Sequence, residues 1–572
     1  MRFPSFDNIF SSALSTFKRF PLTIICVYLA TFVMMWYTDR LFDNHEVLKL
    51  TYVALVGGLL FLSARIATES HNLTKFVKGI IYFLSFSIVI IYYILVPSEL
   101  KDASKCLLWI SIGLVIIGHL LVSVVPYIYS NRSTLSFRSY NYQLLIKFSA
   151  AVFYSLVLYA TLSLALVSIN ALFDFNFRGN TFARLFIFLA GIFNTTYFLS
   201  QFPKEYDSEI FGQPKGLKVL AEYIMIPVLI IYTLILYAYI IKVIGATENP
   251  LPEVRYMIIA FLVFGVFTYL INYYDESEKK SLASKYYVKL FFPIALPVSI
   301  LLLYTTWNES EKSGITDELY LNAIIAIWAI GMAVYIFISK RDDIKWIPIS
   351  LLGISIISFF TPLIGICSVT VKSQYNTAVR YMQEENILIA GSLQKAKDAD
   401  KIKQGYIYDA INYLDDYKRL DLIHYLDKND IVSDSLDSGY KILGELNMVR
   451  SYRYSNEINI INIYNDEVVN LDIREYDELF KIEQYLKKDG RHAEFITNEN
   501  RIVIKNELKE IINSYDIMPQ LNILTEETKY IDLEDETSRV RFFITYLDYN
   551  KDTKYITTTS GILLYKSKKQ KQ

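Results

Sequence analysis

Up to residue 371, apolar runs of roughly twenty residues recur, each set off from the next by a short polar stretch. A helix crosses a bilayer core of about 30 Å with about 20 apolar residues, so each run is long enough to span it. Beyond residue 371 no run of that length appears. That remainder is long enough to bury a core of its own in water. The pattern therefore predicts a polytopic α-helical membrane protein with a soluble C-terminal domain, and the overall mean hydropathy of +0.28 conceals the division.

Eleven transmembrane helices are expected, at approximately 21–38, 48–67, 77–96, 106–126, 145–171, 182–201, 218–243, 255–274, 287–306, 319–338 and 346–371. The fifth and seventh are long enough to be tilted or bent. Before them, residues 1–20 place Phe3, Phe6, Phe10, Leu14 and Phe17 at helical spacing, as in an amphipathic helix lying on the membrane surface. The run after Arg19 is too long for a cleaved signal and lacks a small-residue cleavage site, so it reads as a retained first span.

Lys and Arg set the expected direction of insertion, since they accumulate in cytoplasmic loops. With a cytoplasmic N-terminus, the inner flanks carry 19 of them and the outer flanks 9, and every inner loop exceeds both neighbours. An odd number of spans then exports the tail. In a bacterium this is an inner-membrane protein with a periplasmic C-terminal domain. Trp36, Trp307 and Trp346, with the pairs Tyr92–Tyr93 and Tyr273–Tyr274, lie near span ends, where an aromatic belt accounts for them.

Charge divides where hydropathy does: residues 1–371 carry a net +5 and the remainder −6. A mildly acidic tail with scattered cations argues against nucleic acid as its partner. The partners left are the lipid bilayer and a periplasmic protein bound through residues 372–572. This segment is expected to be α+β, helical over 373–430 and β-rich over 455–566. Ile402, Ile407, Ile411 and Leu414 recur at near-helical intervals. The strand-like stretches are NEINIINIYND, VVNLDIRE, AEFITNENRIVIKN, SRVRFFITYLDYN and GILLYKSKK.

Ionisable groups inside a membrane are costly, which makes them the first candidates for function. His119 lies deep in the fourth span and Glu222 about one turn inside the seventh. A hydrogen bond between helices would satisfy the first, and a pairing with Lys218 at i,i+4 the second. Together with Asn170 and Asn194 they form the candidate intramembrane polar site. Pro227, Pro293, Pro297 and Pro362 interrupt helices, a device that frees backbone groups for substrates in transporters. In the first outer loop Asp39 and Asp43 are weak candidates for a catalytic base or metal ligand. No metal or cofactor is expected: zinc-protease, Walker, nucleophile-elbow and dinucleotide motifs are absent, and five histidines are scattered. Cys26, Cys106 and Cys367 all fall in apolar runs and read as small buried hydrophobes, with a disulfide scaffold set aside on their spacing.

The stretches YYVKLFFPIALPVSILLLYTTWNESEKSGITDELY and IWAIGMAVYIFISKRDDIKWIPISLLGISIISFFTPLIGICSVTVKSQYN resemble the membrane proteins of domain of unknown function 4153. GLKVLAEYIMIPVLIIYTLILYAYIIKVI and FKRFPLTI are similar to the same family, so the resemblance covers most of residues 1–420. It implies a bacterial inner-membrane protein and carries over no activity. Many spans, proline-broken helices and polar intramembrane residues favour a permease-like or transport-associated role. The alternatives are an envelope enzyme acting on a lipid-linked substrate, and a scaffold or sensor with a partner-binding periplasmic domain.

Overall fold

The computed structural model describes residues 6–38, 45–99, 102–173, 175, 177, 179–209, 215–246, 251–273, 281–338, 343–396, 400–426, 438–446, 448, 460–464, 476–482, 492–496, 501–506, 510–521, 530–535, 537–550 and 555–568. Two compact units divide the chain: Met1–Asp398 with Tyr406–Met448, and Ala399–Gly405 with Val449–Gln572. The boundary expected near residue 371 thus falls inside the first unit.

The first unit is a helical bundle. Its helices are α1 (Phe6–Arg19), α2 (Pro21–Tyr37), α3 (His45–Ser70), α4 (Lys75–Leu95), α5 (Lys105–Val124), α6 (Thr134–Phe173), α7 (Gly179–Ser200), α8 (Lys215–Gly245), α9 (Val254–Asn272), α10 (Leu282–Ser313), α11 (Asp317–Ile338) and α12 (Trp346–Phe360). Among the described residues, nine of these are long and apolar enough to cross a membrane, namely α3 to α11. The count of eleven needs two shorter helices as well, α2 with 17 residues and α12 with 15.

Each of these exceptions has a local cause. Helix α1 meets α2 at 106°, and the break falls at Phe20–Pro21. Proline is comfortable in a first helical turn and obstructs the turn before it, so the chain bends there. The expected span 346–371 ends early. Thr361 is extended (φ −84°, ψ 134°), as a residue before proline prefers, and helix resumes only at Ile366. By contrast Pro293 and Pro297 sit inside α10, which stays helical through all 32 residues. There the Tyr237 hydroxyl donates to the carbonyl of Ile294 at 3.0 Å, beside the backbone that proline leaves short of donors.

Burial separates central from peripheral helices. About two thirds of the apolar window of α3 is covered by protein (67%), against 6% for α4 and α6. Ile258 of α9, Val298 and Leu302 of α10 and Ala326 of α11 are fully buried in one continuous apolar core. Close approach of the helices rests on small residues, as packing within lipid requires. A Cβ on Gly118 of α5 would lie 2.5 Å from Leu59 of α3, and one on Gly191 of α7 would lie 2.0 Å from Thr31 of α2. Helix α6 has 40 residues, about 60 Å at 1.5 Å each, twice the bilayer core. Its first turns, with Leu135, Phe137, Arg138 and Tyr140 buried, pack in protein, and only the later turns face outward. Trp36, Trp307 and Trp346 are exposed, as a belt demands, whereas Tyr92 is buried and bonds Ser111 at 2.7 Å.

One expectation is overturned outright. Cys106 and Cys367 form a disulfide across 261 residues of sequence. Spacing along the chain could not reveal it, because the start of α5 and the start of the helix α13 (Ile366–Glu384) are brought together by the bundle. Cys26 is free and half-buried.

The chain after residue 371 continues the first unit before it leaves it. Helix α13 docks through Gln374, whose amide donates to the carbonyl of Ser313 at 3.0 Å. A hairpin follows, β1 (Leu388–Ile389) and β2 (Ser392–Leu393), turned by Ala390 (φ 51°) and Gly391 (φ 77°). Two consecutive left-handed residues make the turn that suits a two-residue hairpin. Helix α14 (Lys401–Asp416) then buries Ile407, Ala410, Ile411 and Leu414 completely.

The second unit is β-rich. Strands β3 (Ile460–Tyr464), β4 (Glu478–Ile482), β8 (Tyr530–Glu534), β9 (Ser538–Asn550) and β10 (Tyr555–Ser567) form one antiparallel sheet, ordered β3-β9-β10-β4 with β8 also on β9. Strands β5 (His492–Ile496), β6 (Arg501–Lys505) and β7 (Ile511–Asp516) form a second. Both contribute to one core, Ile502 and Ile504 meeting Ile531, Phe542 and Leu563. The sequence pattern anticipates β3, β5, β6, β9 and β10. It misses β4, β7 and β8, while the VVNLDIRE stretch lies outside the described residues.

Candidate functional site

Three spans deliver polar side chains to one buried point. The first is α8, whose Val219–Met225 stretch winds as a π-helix. Pro227 supplies a reason: in an α-helix its ring would strike the carbonyl of Tyr223 and leave it without a donor, and a wider turn relieves the clash. The Ile226 amide accordingly reaches back five residues to the carbonyl of Ala221. Within this turn Glu222 is buried (7% exposed), although Leu220, Tyr223 and Ile224 beside it are exposed. Such widened turns are frequent at functional sites.

The second and third contributions come from helix ends. Asn272 closes α9 and Ser284 lies in the first turn of α10, and both are fully buried. Ser281 caps α10 by accepting from the Ser284 amide at 3.2 Å. Ser284 Oγ lies 2.8 Å from Glu222 Oε1 and 2.8 Å from Asn272 Oδ1. The Asn272 amide nitrogen donates to the Thr268 carbonyl at 2.9 Å. Thr268 Oγ1 in turn sits 3.5 Å from Met225 Sδ, tying α9 to the same π turn. Carboxyl, hydroxyl and amide thus form one chain of contacts across three helices. These groups can take up a proton or coordinate a small cation. Among the described residues no group of three or more His, Cys, Asp or Glu side chains converges on a metal-binding geometry.

A second buried polar group lies where the starts of α5, α11 and α13 meet. Asp317, the first residue of α11, is 8% exposed at its side chain and pairs with Lys105 at 3.1 Å. The Tyr413 hydroxyl of α14 donates to Asp317 Oδ1 at 2.5 Å, and the Tyr417 hydroxyl donates to the same oxygen. Burial, foremost, raises both phenols well above the ordinary tyrosine value, so they remain donors. The Cys106–Cys367 bond joins the neighbouring residues of α5 and α13. This group is fully partnered and joins segments; it offers no open coordination.

The other sequence candidates do not gather. His119 is exposed on α5, and its Nδ1 lies 2.8 Å from the Val115 carbonyl of its own helix. Asn170, in the last turn of α6, accepts from the Phe177 amide at 3.1 Å. Asn194 is half-buried just past the π-helical stretch Leu189–Phe193 of α7. Lys218 is exposed, while Glu222 turns inward to Ser284. Asp39 and Asp43 lie outside the described residues. Sequence reasoning missed Ser284 and Asn272 because each is unremarkable alone. The one available signal was Ser281, a helix N-cap that places Ser284 one turn into a span beside Glu222's end of the bundle.

Comparison with known proteins gives a family and no activity. Uncharacterized protein PM1469 of Pasteurella multocida (strain Pm70) is 22% identical over 254 residues, 44% of this chain. The chain spans 40% of that relative's length. No solved structure matches the chain. The sequence pattern of the family described as domain of unknown function (DUF4153) matches residues 22–393, from the start of α2 through the β1–β2 hairpin. With well over half its length matched, this chain belongs to the DUF4153 family.

Proposed function

We propose that this chain is a permease-like or transport-associated protein of a bacterial inner membrane, with eleven spans when α2 and α12 are counted. One observation carries the reading: a carboxyl, a hydroxyl and an amide meet inside the membrane part, at a π turn where three spans converge. Burial of such groups is expensive unless they are used, and interrupted helices are where transporters bind their cargo. Two features support a cytoplasmic N-terminus and an exported tail. Lys and Arg favour the flanks on the N-terminal side. The disulfide falls at the opposite end of the spans, and such bonds persist in oxidising compartments.

Reconstituted into liposomes, the full chain is expected to move a small solute, and Glu222→Ala to abolish that movement. Wild-type protein that moved no member of a broad panel of amino acids, sugars, ions and small organic acids would end the transport reading. Cysteine-specific labelling of intact cells at residue 380 tests the orientation separately, and protection of that position from an impermeant reagent would reverse it.

A further inference from the structure

The hydrogen count at Glu222 does not close if the carboxyl is ionised. Ser284 Oγ carries one hydrogen, yet both atoms at 2.8 Å from it, Glu222 Oε1 and Asn272 Oδ1, are acceptors. Exchanging the oxygen and nitrogen of Asn272 does not help. Its nitrogen already donates to the Thr268 carbonyl, and the exchange would set two carbonyl oxygens against each other at 2.9 Å. The Ser284 amide is engaged with the Ser281 hydroxyl. The arrangement that gives each of these two contacts its own hydrogen places one on the carboxyl.

The charges around the site point the same way. On its own helix, Lys215 and Lys218 are exposed, and Lys242 lies near the far end. In α9 the one charged residue is Arg255, at the opposite end of that helix beside Glu318. In α10, Lys285 and Lys289 are exposed, and Glu309, Glu311 and Lys312 lie at its far end. Arg138, from α6, reaches the carbonyl of Tyr273 just beyond Asn272. Among the described residues no ion pair to Glu222 is formed. The start of α10 favours a negative charge nearby, but by less than the cost of burying a carboxylate without a cation.

We propose that Glu222 is a proton-binding site, held un-ionised in this conformation, donating to Ser284, which donates to Asn272. Release of that proton to water leaves a carboxylate that claims the single Ser284 hydrogen. Asn272 Oδ1, buried at the end of α9, then loses its donor. Proton occupancy so decides whether Ser284 ties α10 to α9 or to α8 alone, which makes the three-helix junction sensitive to the proton. The inference rests on the transport reading for its use, and on hydrogen counting for its chemistry.

Infrared difference spectra of the full chain in lipid nanodiscs at neutral pH test it, wild type minus Glu222→Gln. The expected result is a carbonyl band of an un-ionised carboxyl, present in the wild type, lost in the variant, and moved to lower frequency in heavy water. Loss of a carboxylate doublet with no such band would overturn the proposal. Should Glu222→Gln not fold, Ser284→Ala serves: removing the acceptor should move the carboxyl band to higher frequency, and an unmoved band overturns the assignment. Flux in liposomes separates the two claims. A carboxyl band without solute movement leaves the proton site standing and removes the transport reading. Solute movement without the band does the reverse.

Discussion

The two ends of the bundle are held by different means. At the end we place in the cytoplasm, three cations span segments distant in sequence. Arg19 pairs with Glu69 at 2.6 Å and donates to the carbonyls of Phe202 and Pro203. Arg132 pairs with Asp207 at 2.7 Å and donates to the carbonyls of Pro126 and Ser70. Lys345 reaches the carbonyl of Arg132 at 3.2 Å. At the other end one carboxylate, Asp317, gathers two phenols and a lysine, next to a covalent cross-link. The difference teaches how one bundle closes its loops in two ways. At the first end, guanidinium forks satisfy loop carbonyls that lack secondary-structure partners. At the second end a disulfide fixes helix ends directly and one buried acid gathers two phenols and a lysine, with Arg380 adding bonds to the carbonyls of Glu311 and Lys312.

If that contrast is right, the ends should fail differently. Asp317→Ala is the most severe test, because it leaves two buried hydroxyls without their acceptor and a partly buried ammonium with only Asp416, 3.7 Å away. Removing one member of a buried pair costs about 3–5 kcal/mol, with the lower end expected since Lys105 is one third exposed. Thermal unfolding in detergent should show it as a drop of several degrees, and an unchanged midpoint would mean that Asp317 does not organise this end. Cys106→Ala should cost about 2–4 kcal/mol. Reductant should lower the wild-type midpoint by the same amount and leave the variant's unchanged. At the cationic end, Arg19→Met keeps the packed stem and loses the fork, for about 1.5–3 kcal/mol by the usual worth of charged hydrogen bonds. Arg65, 3.4 Å from Glu69, should limit that loss. Reductant should act on this variant as on wild type; a changed response would show that the two ends are not independent.

How much of this was readable beforehand follows from where each feature lives. The spans were legible because twenty apolar residues in a row have few other uses, and the Lys and Arg alternation grouped helix ends that do meet. Lys105 and Lys312, assigned to one side, both lie near α13 and Asp317. Arg19, Arg132 and Lys345, assigned to the other, share the cationic end. The early stop at Thr361 was legible too, in Pro362, had the proline been weighed above hydropathy. Glu222 was visible as a carboxyl inside a span. Its partners were not, because Asn272 and Ser284 lie at helix ends on separate spans and only the fold brings them within 2.8 Å. The disulfide and the Tyr413–Asp317 bond were hidden for the same reason, with 261 and 96 residues between partners.

The smallest effect is also the sharpest discriminator. Tyr417→Phe removes one of two hydroxyls on Asp317 Oδ1, an oxygen with two lone pairs that keeps Tyr413, while Lys105 keeps Oδ2. The loss at neutral pH should be about 1 kcal/mol, the net worth of one hydrogen bond. Alkaline pH tells more. A phenol whose value is raised in the folded chain contributes stability in full below its unfolded value of about 10, and loses it as pH climbs from there toward the folded value. Wild type should therefore destabilise above about pH 10. Tyr206, at the cationic end, is pushed up to about 12, by burial first and then by Glu69, and so contributes its own share of that loss. Tyr417→Phe should thus flatten the alkaline fall in midpoint without abolishing it, and Tyr206→Phe should flatten it further while Tyr413 keeps part of it. If Tyr417→Phe left the alkaline slope as steep as wild type, Tyr417 would not be held neutral in its buried place beside Asp317, and the description of that end as acid-and-phenol would have to go.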